Sequence, residues 1–216
     1  MLWDGLCHPN ILPMLGIANN LGLASYMVSP WVKYGNAKEY LQSAKDPDVL
    51  QLLLGIARGV EYIHNQQPAI VHGDLKLANI LITQSGRPLI SDFGSSQLWR
   101  GDDDIHFVEG MGTTRWMSPE YIISGRPTIY SDMYAFGMVI LEVISGDIPF
   151  CDVKRDSEVA LKVMKGERPE RPKKTEGNGI IDNLWPISER CWDHCSKLRP
   201  TTHDLVQELH LFVRPV

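Results

Sequence analysis

Four cysteines in 216 residues, at positions 7, 151, 191 and 195, are too few and too scattered for a disulfide framework. That shortage points to a reducing compartment. Cys191, His194 and Cys195 stand close together, but a structural zinc site needs four ligands and no second pair sits at ligand spacing. Long apolar runs are also missing: the longest, residues 133–141, stops at Glu142, far short of the roughly 20 residues that span a bilayer. The opening "MLWDGLCHPN" carries Asp4 and no basic residue, unlike a secretory leader. A cytoplasmic or nuclear protein without a membrane partner is expected. Nor is there an excess of positive charge. With 21 Lys and Arg against 26 Asp and Glu, the net charge of -5 offers no bulk attraction to nucleic acid. The one basic cluster, Lys162, Lys165, Arg168, Arg171, Lys173 and Lys174, is interleaved with Glu167, Glu170 and Glu176 beside Pro169 and Pro172, and reads as a solvated helix end and loop. Repeats and low-complexity linkers are absent, so one continuous domain is expected, with nothing to set its oligomeric state.

What is present suits a packed core: 44% of the residues are hydrophobic and 22% charged. "NILPMLGIA" and "GLASYMVSPWV" read as two strands joined by a turn at Asn19 and Asn20. "DPDVLQLLLGIARGVEYIHNQ" opens on an Asp-Pro helix-start signal and places Leu50, Leu53, Leu54, Ala57, Tyr62 and Ile63 at helical spacing. "ANILI" and "RPLIS" read as a strand pair turning at Ser85 and Gly86. Beyond residue 117 the pattern is helical, at about 118–123, 131–145, 156–165, 181–193 and 201–212. "SDMYAFGMVILEVISG" is apolar nearly all round and belongs at the centre of the helical part. Asp132 at its start is the anomaly. It reads as an N-cap, as an anchor for a neighbouring loop, or as both.

Between two apolar walls, "IVHGDLKLANILI" places His72, Asp74, Lys76 and Asn79 within eight positions. Singly, each has a bland reading: Asp74 a turn residue, Lys76 a surface charge, Asn79 a loop closer, and downstream Asp92 a cap. Together they form an ordered series. His72-Gly73-Asp74, Lys76 and Asn79 are followed by Asp92-Phe93-Gly94, then "GTTRWMSPEY" at 112–121, the Asp132 helix, "SGDIPF" at 145–150, and Cys191-Trp192 with Arg199-Pro200.

This series resembles the catalytic domain of the eukaryotic protein kinases, and the resemblance covers the chain from His8 to its end. The tryptophans of "RWMSPE" and "CW" look like the tyrosine-kinase-like group, while Lys76 looks like the serine/threonine-specific loop. The resemblance implies an α+β, mainly α, protein-kinase-like fold. Its C-terminal lobe, residues 33–216, is helical, and residues 1–32 supply only the last strands of the N-terminal lobe and the hinge. It implies transfer of the γ-phosphate of ATP to serine or threonine hydroxyls of a protein substrate, with Mg2+. Phosphoryl transfer needs the γ-phosphate, the metal and the acceptor hydroxyl held in line while developing charge is neutralised. By resemblance, Asp74 accepts or orients the hydroxyl proton and Lys76 sits against the γ-phosphate. Asn79 and Asp92 offer Mg2+ hard oxygen ligands, and Thr113 bonds Asp74 and Lys76. His72 and Phe93 pack the core, and Glu120 with Arg199 forms a buried pair. For the nucleotide, Ser29 falls at the gatekeeper position, Pro30 gives only a carbonyl, Val32 gives the donor amide, and Leu81 forms the floor under the adenine.

The departures are as informative. Kinases clamp the α- and β-phosphates with a glycine-rich loop, a lysine on the third strand and a glutamate on the next helix. No glycines here fall at G-x-G-x-x-G spacing, and the first lysine is Lys33. "MLWDGLCHPNILPMLGI" looks like the tail of that helix running into strand four, so the sequence is expected to begin inside a kinase domain. Gly73 stands where most of the family carries the arginine that reads an activation-loop phosphate. Glu109 falls where that phosphate sits, beside Asp102, Asp103 and Asp104. Two rival readings follow. A pseudokinase or remnant would act as a protein-interaction module. Small-molecule phosphotransferases of the aminoglycoside and choline type share a His-Gly-Asp loop, but lack the "GTTRWMSPE" segment and the Asp132 helix.

Overall fold

The computed structural model describes residues 2–19, 25–101, 113–173 and 179–213. Two short strands, β1 (Gly16–Ala18) and β2 (Tyr26–Val28), pair antiparallel with Ile17 opposite Met27. The ordered pairing is far shorter than the two apolar runs that contain it. Residues 102–112, which include Glu109 and the three aspartates, lie outside the described residues, as does Asn20.

Helix α1 (Ala37–Ser43) follows, capped by the Asn36 side chain accepting from Glu39 N at 2.9 Å. The sequence pattern does not announce it, since Ala37 is its one fully buried residue. Helix α2 (Val49–His64) begins two residues beyond the Asp-Pro signal, with the Asp48 side chain accepting from Gln51 N at 3.0 Å; it buries Leu53, Leu54, Ala57 and Ile63 and leaves Leu50 and Tyr62 half-buried. Next come β3 (Ala69–Val71), β4 (Ile80–Ile82), β5 (Pro88–Ile90) and β6 (Gln97–Trp99). β4 pairs with β5 as the sequence indicates, whereas β3 pairs with β6 across the intervening loop, which it does not indicate.

The remaining helices are α3 (Pro119–Ser124), α4 (Ile129–Ser145), α5 (Asp156–Met164), α6 (Gly179–Cys191) and α7 (Thr202–Phe212). All five fall close to their expected positions. α4 is the centre of the lobe and buries a continuous series from Ser131 to Glu142. It lies against α6, and α2 lies against α7. Gly137 permits the first contact: a Cβ there would stand 2.8 Å from Cys191 Cβ. The N-cap reading of Asp132 is corrected. Thr128 caps α4, accepting from Ser131 N at 3.1 Å while Ser131 Oγ accepts from Thr128 N at 2.7 Å. Asp132 sits inside the first turn and is free to reach elsewhere.

Residues 2–12 join the helical core and stand apart from the β1–β2 hairpin. Ile11 and Leu12 are buried, Leu12 N donates to Ile90 O at 2.9 Å, and Ile90 N donates to Asn10 O at 2.9 Å. Trp3 is buried beside them and stacks on Phe93 at 6.0 Å. The expected Glu120–Arg199 pair is present and two-pronged, at 2.5 and 2.9 Å, and ties α3 to the loop before α7, but only Arg199 is buried and Glu120 is half-buried. Among the described residues no helix is long and apolar enough to cross a membrane.

Candidate active site

Helix α4 carries two buried carboxylates, and both reach the loop between β3 and β4. Asp132 Oδ2 accepts from His72 N at 2.7 Å and Oδ1 from Gly73 N at 2.9 Å, with His64 Nε2 2.8 Å from Oδ2. Ten positions on, Glu142 Oε2 accepts from Leu77 N at 3.0 Å and from the Trp116 indole at 2.8 Å. One rigid helix therefore holds both ends of residues 72–77. It also draws the segment after Thr113 against them. Burial pushes the Glu142 carboxyl up from 4.5 to about 7, against the pull of these two donors and of the Lys38 and Lys76 charges.

Within that frame the side chains of Asp74, Lys76, Asn79 and Thr113 meet. Asp74 Oδ2 accepts from Lys76 Nζ at 2.7 Å and from Asn79 Nδ2 at 2.8 Å. Thr113 Oγ1 donates to Asp74 Oδ1 at 3.2 Å and accepts from Lys76 Nζ at 2.5 Å. The Asn79 amide also donates to the Asp74 carbonyl at 2.8 Å, which closes the loop on itself. Each contact is charge-assisted or closes a short ring, so the Asp74 carboxylate has little freedom to rotate. Two of the three ammonium protons of Lys76 are used here.

Gly73 has a backbone reason to be glycine. Its φ is +79°, and a Cβ would lie 2.8 Å from Ser95 O. The loop as folded leaves no room for the arginine common at this position.

Asp92 stands at the neighbouring edge. Ser91 N and Oγ donate to Asn79 O at 2.9 and 2.8 Å, so the residue before Asp92 is fixed to the loop that holds Asp74. Asp92 is exposed and left-handed at φ 61°, a conformation aspartate tolerates better than most residues, and its Oδ1 accepts from Gly94 N at 3.3 Å. His72 is fully buried, Nε2 lying 3.0 Å from Ser91 O and Nδ1 accepting from Asp74 N at 3.2 Å. Phe93 packs edge-on to it at 5.2 Å. The structural roles expected for both rings are what the fold uses.

The nucleotide candidates divide into two groups. Leu81 lies half-buried on β4, two residues from Asn79, bridged to Asn36. Ser29 and Val32 are half-buried and Pro30 is exposed. Pro30 and Val32 line a cavity of about 550 Å³ with Leu12 and Leu89, which Ser29, Leu81 and Asp92 do not line. Asp74 and Thr113 line a different recess, with Gly73, Trp116 and Asp132.

Sequence reading missed Glu142, His64, Trp116 and Arg115 as parts of this frame. Arg115 is buried, donates to Pro149, Phe150 and Val153 carbonyls at 2.7 to 3.1 Å, and meets Asp156 at 2.8 Å. The available signal was a charged residue inside or beside an apolar stretch.

The family described as protein tyrosine and serine/threonine kinase matches residues 2–209. The chain belongs to that family. Probable serine/threonine-protein kinase PBL28 of Arabidopsis thaliana is 29% identical to it over 96% of this chain and 61% of its own length. Serine/threonine/tyrosine-protein kinase HT1 of the same plant is 31% identical over 98% of this chain and 53% of its own. Serine/threonine-protein kinase TNNI3K of Homo sapiens is 28% identical over 94% and 24%. The chain thus spans a quarter to three fifths of these relatives' lengths. Its described elements make up the α+β, mainly α fold that the motif order implied.

Proposed function

We propose that the site transfers the γ-phosphate of Mg-ATP to serine or threonine hydroxyls of a protein substrate. The observation that carries this reading is the Asp74 carboxylate held by Lys76, Asn79 and Thr113 at 2.7 to 3.2 Å. An acceptor hydroxyl placed against Oδ1, whose contacts to Thr113 are the longer ones at 3.2 and 3.4 Å, is oriented for attack and can pass its proton to that oxygen. Lys76 has one proton left for an oxygen of the transferring group. The exposed Asp92 carboxylate and the Asn79 side-chain oxygen are the hard donors that suit magnesium, and both belong to backbone already tied together through Ser91. Mg2+ held there would neutralise phosphate charge. Leu81 supplies apolar surface for the adenine, and Ser29, Pro30 and Val32 form the hinge beside it. Protein substrate and ATP are the partners this reading requires.

A second reading, an interaction module without turnover, is favoured by one observation. Ile17, Tyr26, Met27 and Val28 of the hairpin are all exposed, a bare apolar face that a partner could cover. The test is labelled phosphate transfer from Mg-ATP to a generic protein substrate by this 216-residue chain, followed by phosphoamino-acid analysis. Transfer to serine or threonine, at least about a hundredfold lower in Asp74→Asn and Asp92→Ala, is the expected result. Transfer that survives both substitutions would sink the first reading. Silence of the unaltered chain, with no nucleotide binding by thermal shift, supports the second.

A further inference from the structure

The 550 Å³ cavity lies where three segments meet: residues 6–13, the hinge at 30–33, and the turn between β4 and β5 with Thr83, Gln84 and Arg87. Its volume is in the range of sites that enclose a drug-sized molecule, and its walls include Leu6, Ile11, Leu12, Val32 and Leu89. Ile11, Leu12 and Leu89 are buried core residues, so this wall is part of the rigid lobe.

Lys33 and Arg87 line the cavity and have no acidic neighbour in the lining, although the Glu61 charge reaches His8 from outside it. Among the described residues neither cation forms an ion pair. Lys33 has only a ring contact, 5.7 Å from the Tyr34 centroid. His8 also lines the cavity; burial and the Arg58 charge lower its imidazole from the ordinary value, against the pull of Glu61. At the rim Trp31 is 93% exposed. A large ring left in water beside an apolar hollow gains by covering an occupant.

We infer that this cavity, behind the hinge and separate from the Asp74 recess, binds a small amphipathic anion: an apolar or aromatic body seated on Leu12 and Leu89, and one carboxylate facing Lys33 and Arg87. The cationic rim selects the charge, and the apolar wall of Leu12 and Leu89 receives the body. The inference does not depend on phosphotransfer.

The cavity brings its own reporter. Cys7 is exposed and lines it, whereas exposed Cys151 and Cys195 do not. The probe pair is 1-naphthaleneacetate and its uncharged amide, titrated calorimetrically into the 216-residue chain, with iodoacetamide labelling of each cysteine followed by peptide mass spectrometry. The acid should bind at least about tenfold more tightly than the amide. At saturation it should slow labelling of Cys7 several-fold and leave Cys151 and Cys195 unchanged. Lys33→Gln/Arg87→Gln alters two exposed side chains and should remove the preference while leaving the melting temperature in place. Equal binding of acid and amide, a preference that survives the double substitution, or Cys7 labelling unaffected by saturating acid would each overturn the proposal, as would no binding at all.

Discussion

Helix α4 and the β1–β2 hairpin are both rich in apolar residues, yet one is sealed and the other is bare. In α4, Tyr134, Met138, Val139 and Ile140 are fully buried, while in the hairpin Tyr26 and Met27 are about half exposed. Apolar content does not explain the difference. α4 is covered on every side and spends its two carboxylates on neighbouring backbone amides; a two-stranded ladder three residues long has no second layer to cover it. The central helix therefore organises the candidate site, and the hairpin offers surface.

The largest effect should come from removing the organiser. Asp132→Ala leaves the His72 and Gly73 amides and the His64 ring without their acceptor, and should lower stability by about 3–5 kcal/mol in urea denaturation and abolish phosphotransfer. A loss below about 1 kcal/mol would mean that the loop holds itself.

Glu142 sharpens the same point through pH. A carboxyl raised from 4.5 to about 7 by burial binds its proton more tightly in the folded chain than in the unfolded one. Its stabilising contribution is complete below pH 4.5 and is lost as pH rises through about 7. Glu142→Gln should remove a fall of about 1–3 kcal/mol between pH 5 and pH 8, read from urea midpoints at each pH.

Gly73→Ala puts a methyl group 2.8 Å from Ser95 O at φ +79°. It should cost about 1–3 kcal/mol in thermal or urea unfolding, and a neutral result would show that the loop conformation is adjustable. The smallest effects belong to the hairpin and to the exposed Trp31 that follows it. Met27→Lys and Trp31→Ser should each change stability by less than about 0.5 kcal/mol, while reducing self-association in size-exclusion chromatography. A large loss of stability would mean that the bare face is less bare than it stands.

The long helices were legible because their apolar spacing and caps agree: Asp48 before α2 and the apolar run of α4 leave little choice. α1 was not, because seven residues with one buried side chain give no periodic signal. The β3–β6 pairing joins strands separated by residues 72–96, which include the β4–β5 pair, and nothing local in Gln97–Trp99 selects Ala69–Val71 as its partner. In the site, Asp74, Lys76, Asn79 and Thr113 were readable as residue types in a fixed order, and their side chains meet. Glu142 was hidden because an acid closing an apolar run reads as the place where a helix reaches water. The cavity lined by Leu12, Val32 and Leu89 was hidden for another reason: it exists only where three distant segments converge.

Three amides of the loop between β3 and β4, those of His72, Gly73 and Leu77, donate to side chains of α4 and not to a strand or helix of their own. Amide hydrogen exchange should therefore show a loop without regular secondary structure protected on the timescale of α4 itself, since the amides are released only when that helix opens. The arrangement of Asp74, Lys76 and Asn79 is then set without any ligand, and slow exchange at these three positions in the ligand-free chain would register it.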